Sequence, residues 1–485
     1  MTFCPVALIV AVVGVVSLLP SRAHAQHAPS AIDTNNYSIE FYQGPVMAPL
    51  RVTGLAGAYT GYAEGIDGIT SNSAAPGVRF PQSTSMFDYD LSLSLSLPSA
   101  LRDTDFDNDG NTGFAYEDFV FLTLGAMLQW GDFGIGWLSD VQAYGITPKE
   151  SSNDPSLSLI IHRADITGSW SIWNQQLIFG LGPRIVALSM SSNADAAAHE
   201  PLVDISGMAP QFGMLIRPNH APWRIGLNYR TPVRGSIRST HNVTVDDFGI
   251  LRVFDFPIPS SVYIPWEIRA GFSLQLGPRP LNPTWVNPVA HEQRERQRIL
   301  DGQRQRYANR NKQLRLIANP QERQAYEKRI DEEEVYLRHQ EEIILQQVAD
   351  RLQQQRDTVF SRLPRDYLLV VAEVLITGSS PDAISVESFL SRTKRRTGQD
   401  LSISPRLGLE SEPIRGYLKT RLGTYVEPSR FRNHSYRQHV TFGFDLRVFR
   451  FPGWWILSPA HYRISGMTDL APRYTNIGFS FGSWY

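Results

Sequence analysis

Hydrophobic and polar residues alternate along much of the chain. Between positions 85 and 97, Phe87, Tyr89, Leu91, Leu93, Leu95 and Leu97 fall on one side of an extended chain, and Asp88, Asp90, Ser92, Ser94 and Ser96 fall on the other. Successive side chains of a strand point to opposite faces, so this segment predicts a strand oily on one side and wet on the other. The pattern recurs. Trp223, Ile225, Leu227 and Tyr229 alternate with Arg224, Gly226, Asn228 and Arg230. Trp266, Ile268, Ala270, Phe272 and Leu274 alternate with Glu267, Arg269, Gly271 and Ser273. Val440, Phe442, Phe444, Leu446 and Val448 alternate with Thr441, Gly443, Asp445 and Arg447. Such strands exceed the five or six residues usual in soluble proteins and reach the ~9–11 needed to cross a bilayer. The charged face is placed toward a polar lumen, because charge facing hydrocarbon is costly.

Short turns and long polar loops alternate between these runs. Gly131-Asp132, Asn174-Gln175, 218–222 and Glu412-Pro413 read as the short connections; 99–117, 192–202, 239–259, 378–400 and 427–436 read as the long ones. Short turns on one side and long loops on the other predict an outer-membrane barrel with the short side periplasmic. Fourteen strands are expected, beginning near Ser85, Asp118, Phe133, Leu157, Gln176, Val203, Trp223, Val262, Asp366, Leu401, Ile414, Tyr436, Trp454 and Tyr474. The fold class is thus all-β: a 14-stranded antiparallel transmembrane β-barrel occupying residues 83–485. Ile477, Phe479, Phe481 and Tyr485 give the last strand an aromatic face that ends with the chain, similar to the terminal recognition signal of outer-membrane barrels.

The N-terminus is read differently. An apolar run from Pro5 to Pro20 precedes Ala23-His24-Ala25, a small-x-small cleavage site, so residues 1–25 are expected to be a signal peptide. The n-region has no Lys or Arg. The run is also short of the ~20 residues that a membrane anchor, the alternative, would need. Cys4, the one cysteine of the 485 residues, lies inside this segment, which excludes disulfides, thiolate catalysis and Cys metal sites from the rest. With a formal net charge of −1 there is no electrostatic case for a nucleic-acid partner. His162 and His439 have no Ser/Asp partners at a motif spacing, so no catalytic set is expected.

Residues 281–365 break the pattern, and 290–360 are dense in Gln, Arg and Glu. Leu300, Tyr307 and Leu314 recur every seven residues, as do Ile330, Leu337 and Ile344, with Asn319-Pro320 between the two series. Two helices folded back as an antiparallel coiled-coil hairpin are expected on the periplasmic side, with a single kinked, solvated helix as the alternative. The insert suits a periplasmic protein partner.

Three stretches resemble the FadL/TodX family of outer-membrane transporters for long-chain fatty acids and aromatic hydrocarbons. The first is Gly54-Leu-Ala-Gly-Ala-Tyr-Thr-Gly-Tyr-Ala-Glu-Gly-Ile-Asp-Gly-Ile69 with 72–77. The second is 211–233 with Trp223-Arg-Ile-Gly-Leu-Asn-Tyr-Arg-Thr-Pro-Val233. The third is 405–410 with Gly423-Thr-Tyr-Val-Glu-Pro-Ser-Arg-Phe431 and 438–446. The resemblance implies an N-terminal plug in the lumen, here residues 26–82, and hydrophobic cargo. The family's Asn-Pro-Ala step is replaced by Asn72-Ser73-Ala74-Ala75-Pro76-Gly77. Related barrels also anchor secretion or motility assemblies, which keeps a scaffold role open beside transport.

Three sets of candidate site residues follow. Arg224, Arg230, Arg269, Arg406, Lys419 and Arg421 should face the lumen, to attract a carboxylate headgroup or to form a structural network with Glu267, Glu373, Glu410 and Asp445. Asn72, Pro76 and Gly77 lie in the plug, and Gly134 and Gly136 should face inward on the third strand, where they either allow a kink that opens the wall laterally or give plug residues room. Asp105, Asp107 and Asp109 before Gly110 match the first half of a calcium loop, with Asp103 and Glu117 as further ligands; the alternative is a solvated acidic loop. No other cofactor is implied.

Overall fold

The computed structural model describes residues 30–484 except 43, 81–82, 84, 102–103, 150–155, 193–200, 238–242, 254–255, 286, 381, 432–435 and 452–459. The expected signal peptide and Tyr485 lie outside the described residues. Fourteen strands form the wall: β1 (Phe87–Pro98), β2 (Phe114–Trp130), β3 (Phe133–Pro148), β4 (Leu157–Ile172), β5 (Leu177–Ser192), β6 (Pro201–Ile216), β7 (Trp223–Arg230), β8 (Glu267–Leu276), β9 (Leu368–Thr377), β10 (Ser402–Ile414), β11 (Leu418–Pro428), β12 (Tyr436–Phe451), β13 (Ala460–Ala471) and β14 (Tyr474–Trp484). Each pairs antiparallel with the next. β14 pairs with β1 from Ser92↔Gly482 to Pro98↔Asn476, which closes the barrel and leaves it without an edge.

The alternation read from sequence sets which face is which. Leu91, Leu93 and Leu95 are 43%, 45% and 38% exposed, whereas Ser94 and Ser96 are each 1% exposed. Ile225, Leu227 and Tyr229 likewise face out, with Arg224, Asn228 and Arg230 buried behind them. An outer surface made of large apolar side chains would aggregate in water and is at home in hydrocarbon, where closed strand pairing also satisfies the wall's backbone groups from strand to strand. At the short-turn end Trp130, Phe133, Trp170 and Trp173 lie on the outside, with the Phe133 and Trp170 rings stacked at 6.1 Å. Aromatic side chains are favoured at that depth, at the boundary of lipid and water. This is the architecture of an outer-membrane β-barrel.

Several boundaries differ from expectation. β2 begins at Phe114 rather than Asp118: the ladder shifts between Glu117 and Val120, and Asp118 sits at φ 51 as a bulge that the strand runs through. The turn placed at Glu412-Pro413 lies further on, where Gly416 has φ 72; the register shift between Ser411 and Ile414 absorbs Pro413. The strand expected from Val262 is split, because Pro265 carries no N–H for the ladder. Ser261–Ile264 pairs with Val233–Ile237 and, in parallel, with Ser38–Glu40 of the plug before β8 begins. The start expected at Trp454 lies outside the described residues. One connection at the long-loop end, Pro472-Arg473 between β13 and β14, is a tight turn.

The N-terminal segment lies inside the wall. It contains α1 (Leu50–Gly54) and single turns at Ile66–Thr70 and Ala75–Gly77, and nearly every residue from 44 to 79 is buried. The insert leaves from Leu276 and returns at Leu368, a directly paired position at the short-turn end. It forms α2 (Pro288–Leu316) and α3 (Pro320–Arg362). The Asn287 side chain caps α2 by accepting from the Val289 and Ala290 amides, and Asn319 accepts from the Gln321 amide at the start of α3. The helices run antiparallel, but their seam is mostly polar. Arg306 meets Glu341 at 2.5 Å and Arg310 meets Asp331 at 2.7 Å. Of the two heptad series only Leu314 is buried, while Leu300 and Ile344 are exposed.

Partly exposed ion pairs hold helices together weakly, by roughly 0.2–1 kcal/mol each, so the hairpin adds little to the stability of the wall. Replacing 288–362 by a short flexible linker is expected to leave a barrel that still migrates as a folded, heat-modifiable band. Loss of that band would show that β8 and β9 need the hairpin in order to pair.

Candidate functional site

The wall and plug are joined by hydrogen bonds that run both ways. Glu373 on β9 accepts from the Tyr59 and Thr60 amides at 3.0 and 2.9 Å, and Gln129 on β2 donates to the Pro76 and Val78 carbonyls, each at 2.7 Å. Asn72 bridges the two layers, donating to the Thr60 carbonyl at 3.0 Å and to Met214 of β6 at 3.1 Å. A plug pinned through its backbone at so many points is a filler of the lumen, and two cavities lie beside its residues 40–48.

Gly134 and Gly136 serve this packing. A Cβ on Gly134 would stand 2.0 Å from the Pro76 carbonyl oxygen, and one on Gly136 would stand 2.4 Å from Ile69 Cδ1. A Cβ on Gly77 would meet Ile178 of β5 at 2.6 Å. Pairing is continuous through both wall glycines on either side, from Gln129↔Gly134 to Met127↔Gly136 and from Gly134↔Ser169 to Gly136↔Thr167. The wall is continuously paired there, and the two glycines leave room for the plug backbone.

The six basic candidates divide. Arg224 is fully buried and donates from all three of its guanidinium nitrogens. It pairs with Glu64 of the plug at 2.8 Å and donates to the Tyr62 and Leu281 carbonyls and to Asn282. Arg421 makes a two-point contact with Asp445 at 2.8 and 2.6 Å and a third with Glu410 at 2.6 Å. Lys419 is buried with its ammonium 4.9 Å from the centre of the Trp484 ring. These three are struts and are not grouped as a binding site. Arg230, Arg269 and Arg406 do come together. With Arg163 and Arg184, two residues not singled out from the sequence, they line a cavity of about 60 Å³ between the wall and plug residues Pro45 to Ala48. Five guanidinium groups face three lining carboxylates, Asp140, Asp165 and Glu267. Nη1 of Arg184 is shut off from solvent and has no hydrogen-bond partner among the described residues.

Above this cavity, toward the long loops, the inner face changes character. Tyr144, Ile146, Leu159, Ile161, Leu188 and Met190 point inward and are buried. Phe106 and Phe119 lie 4.9 Å apart edge-on, and Phe119 stacks on Tyr144 at 4.6 Å. A second cavity, of about 40 Å³, is lined here by Phe41, Tyr42, Phe106, Tyr116, Tyr144 and Ile161 among others. Sequence reading missed this chamber. Its signal is a loss of alternation: in Leu157 to Ile161 both faces are apolar apart from Ser158, and Tyr144 and Ile146 continue the inward face that begins with Asp140 and Gln142.

Asp105, Asp107 and Asp109 converge, with ligand oxygens all within 4.8 Å of one another. Glu117, expected to close this group, instead stands on β2 and accepts from Thr147 at 3.3 Å. The bulge at Asp118 belongs to the strand, which carries Glu117 out of the loop. Asp103 lies outside the described residues. His439 is held by Asp469 at 2.9 Å and Glu427 at 2.7 Å inside the barrel, and His162 meets Ser139 on the outer face at 2.7 Å.

Fold and cavities together define a plugged outer-membrane barrel. Among solved structures, the chain is similar to the CymD monoaromatic hydrocarbon channel at 10% identity, over 90% of this chain and 96% of that one, with a TM-score of 0.45. It is similar to the toluene transporter TbuX of Ralstonia pickettii at 10% identity, over 89% and 98%, with a TM-score of 0.43. It is similar to the toluene transporter TodX of Pseudomonas putida at 13% identity, over 93% and 99%, with a TM-score of 0.43. No family model and no curated protein matches the chain. Function is therefore argued from this chain's own residues.

Removing one partner of a buried ion pair leaves the other charge stranded, at a cost of about 3–5 kcal/mol. Arg224→Ala should lower the denaturant midpoint of the refolded barrel accordingly, and the double change Arg224→Met with Glu64→Leu should recover most of the loss. Equal midpoints for the wild type and Arg224→Ala would show that the pair does not hold the plug.

Proposed function

We propose that this barrel takes up small hydrophobic molecules from the outer medium and passes them along its plug across the outer membrane. The observation that carries the reading is the apolar, aromatic inner face beneath the long loops. A general porin keeps its interior polar for water and solutes. A lumen that turns apolar at its outer end favours a molecule that leaves water to enter it. The cavity of about 40 Å³ is small beside the ~150 Å³ apolar hole that holds benzene. Entry therefore requires the long loops to part. Below the chamber, Arg163, Arg184, Arg230, Arg269 and Arg406 offer charge-assisted donors to an anionic head, so a fatty-acid-like cargo has a place for both of its ends.

A second reading rests on the insert. α3 alone has 43 residues and at ~1.5 Å per residue spans roughly 65 Å, a length that a pore does not need. It carries Val335 and Tyr336 exposed. The hairpin sits at the short-turn end, the expected periplasmic side, and suits a protein partner there, in which case the barrel anchors an envelope assembly.

Uptake of a labelled alkylbenzene and a labelled fatty acid into proteoliposomes tests the first reading. Tyr144→Arg should abolish both, and Arg184→Ala should lower fatty-acid uptake while sparing the alkylbenzene. A full-length barrel that neither binds nor passes any such compound overturns transport. Affinity capture from detergent-solubilised envelopes, with and without residues 290–360, tests the second. If the same proteins are recovered with both forms, the insert is not the docking element.

A further inference from the structure

We propose that residues 277–285 are a strap across the short-turn mouth of the barrel, which bolts the plug there and has to swing away before cargo can leave. The sense of exit rests on the transport reading; the bolt itself rests on contacts alone. The strap leads from β8 toward the hairpin and is stiffened by Pro278, Pro280 and Pro283. It starts beside β9, where the Arg279 guanidinium lies over the Tyr367 ring at 4.5 Å and pairs with Glu412 of β10 at 3.3 Å. Leu281 is buried and belongs to one apolar cluster with Leu55, Tyr59 and Tyr62 of the plug. Asn282 is fully buried. Its side chain donates to the Ala221 and Trp223 carbonyls, each at 2.9 Å, and its backbone carbonyl accepts from the His220 amide at 2.8 Å. The Trp285 ring then covers the guanidinium of plug residue Arg79 at 4.6 Å, and Arg79 donates to the Gly131 carbonyl at 2.8 Å. The strap thus runs from β8 and β9, past the turn between β6 and β7, to a plug residue held on the turn between β2 and β3.

A connecting segment usually runs over the surface, because buried backbone must find partners. This one is buried at Leu281, Asn282 and Trp285, and its partners are also the plug's. One guanidinium joins all three layers. From β7, Arg224 donates to the Leu281 carbonyl at 2.7 Å and the Asn282 side chain at 2.7 Å, and to the Tyr62 carbonyl and the Glu64 carboxylate of the plug, each at 2.8 Å. Wall, strap and plug therefore share a node, and a second contact, Trp285 on Arg79, holds the far end of the plug. The strap takes no part in the strand pairing of the wall: β8 ends at Leu276, paired with Leu368, before the strap begins. It can detach as a unit while the barrel stays closed, and the plug keeps its own hydrogen bonds to Gln129, Asn228 and Glu373. An element buried against the plug but outside the ladder is placed to act as a gate.

The test uses the full-length chain with Cys4→Ser, so that engineered thiols are the only ones. His220→Cys and Thr284→Cys, at positions whose native side chains meet at 3.1 Å, are bridged by a short bis-methanethiosulfonate that reductant cleaves. In proteoliposomes, bridging should lower uptake of a labelled alkylbenzene at least tenfold, and reductant should restore it; each single-cysteine variant, treated alike, should keep its uptake. Undiminished uptake through the bridged barrel would overturn the gate. Hydrogen exchange reads the bolt without any cargo. The amides of residues 59–80 should exchange at least tenfold faster in Asn282→Ala and in Trp285→Ala than in the wild type, with the wall strands unchanged and heat-modifiable migration kept. In the bridged barrel, where the other strap contacts remain, the same amides should exchange more slowly. Plug exchange that responds neither to the two substitutions nor to the bridge would overturn the bolt, whatever the uptake result. A responsive plug in a barrel that passes no compound, bridged or reduced, would sink the transport reading and the gate with it, and leave the bolt standing.

Discussion

Everything inside this barrel depends on how closely the plug backbone approaches the wall. A Cβ placed on Gly180 would stand 2.0 Å from the Ser73 carbonyl oxygen, and one on Gly226 would stand 2.0 Å from that of Thr60. Gly180 pairs with Gly213 across β5 and β6, and Gly226 pairs with Gly271 across β7 and β8. These neighbouring inward positions without side chains make shelves on which peptide groups of the plug rest directly. At that distance no water layer fits, so each plug amide and carbonyl turned outward must find its partner on the wall itself. Gln129, Asn228 and Glu373 supply those partners. Close approach also excludes solvent from the ion pairs at the same level, such as that of Arg224 with Glu64.

The outward face of the strands was legible in the sequence because lipid imposes it directly. Every second residue meets the same apolar solvent, and no tertiary contact is needed to select it. Boundaries were less legible where the chain departs from one residue per rung. Asp118 looked like the start of a strand because its charge interrupts the alternation, but it is a bulge with pairing on both sides. Pro413 looked like a turn, but the neighbouring bulge has no use for its missing N–H, and the chain reverses at Gly416 instead. The hairpin was legible for the same reason as the wall: its composition and heptads are local. The polar character of its seam was not, because which faces meet depends on the relative rotation of two helices that carry charge nearly all round.

The candidate site was half legible. That Arg230, Arg269 and Arg406 face inward follows from strand parity. That they share one cavity while Arg224 and Arg421 serve as struts depends on the height of each residue in the barrel and on which plug carboxylate lies opposite. Arg163 and Arg184 stand on strands that the sequence did place, but strand parity alone did not single them out. Glu117 was chosen for its spacing from Asp105, but it stands on β2, and a spacing rule applies only to a loop that remains a loop.

The aromatic chamber and the arginine cavity lie one above the other because the wall follows two rules at different depths. Where the plug backbone lies against the wall, inward glycines and polar side chains meet its peptide groups, while Leu138, Ile178 and Leu215 pack on its apolar side chains. Toward the long loops the inward positions of β2 to β6 become apolar and pack among themselves, against Tyr37 and Ile39 of the N-terminal segment and against Phe106 and Phe389 of the long loops. The loops are thereby held down by hydrophobic contact as well as by charge. Such contact is non-directional and can be exchanged for contact with another apolar body at little net cost, whereas the pinned plug below would lose specific hydrogen bonds if it moved. The two layers therefore differ in how readily they yield: the outer one can admit an apolar guest by substitution, and the inner one resists displacement. If the barrel passes cargo as proposed, the path would begin where packing is exchangeable and continue beside the plug, along the arginine-lined cavity against the wall.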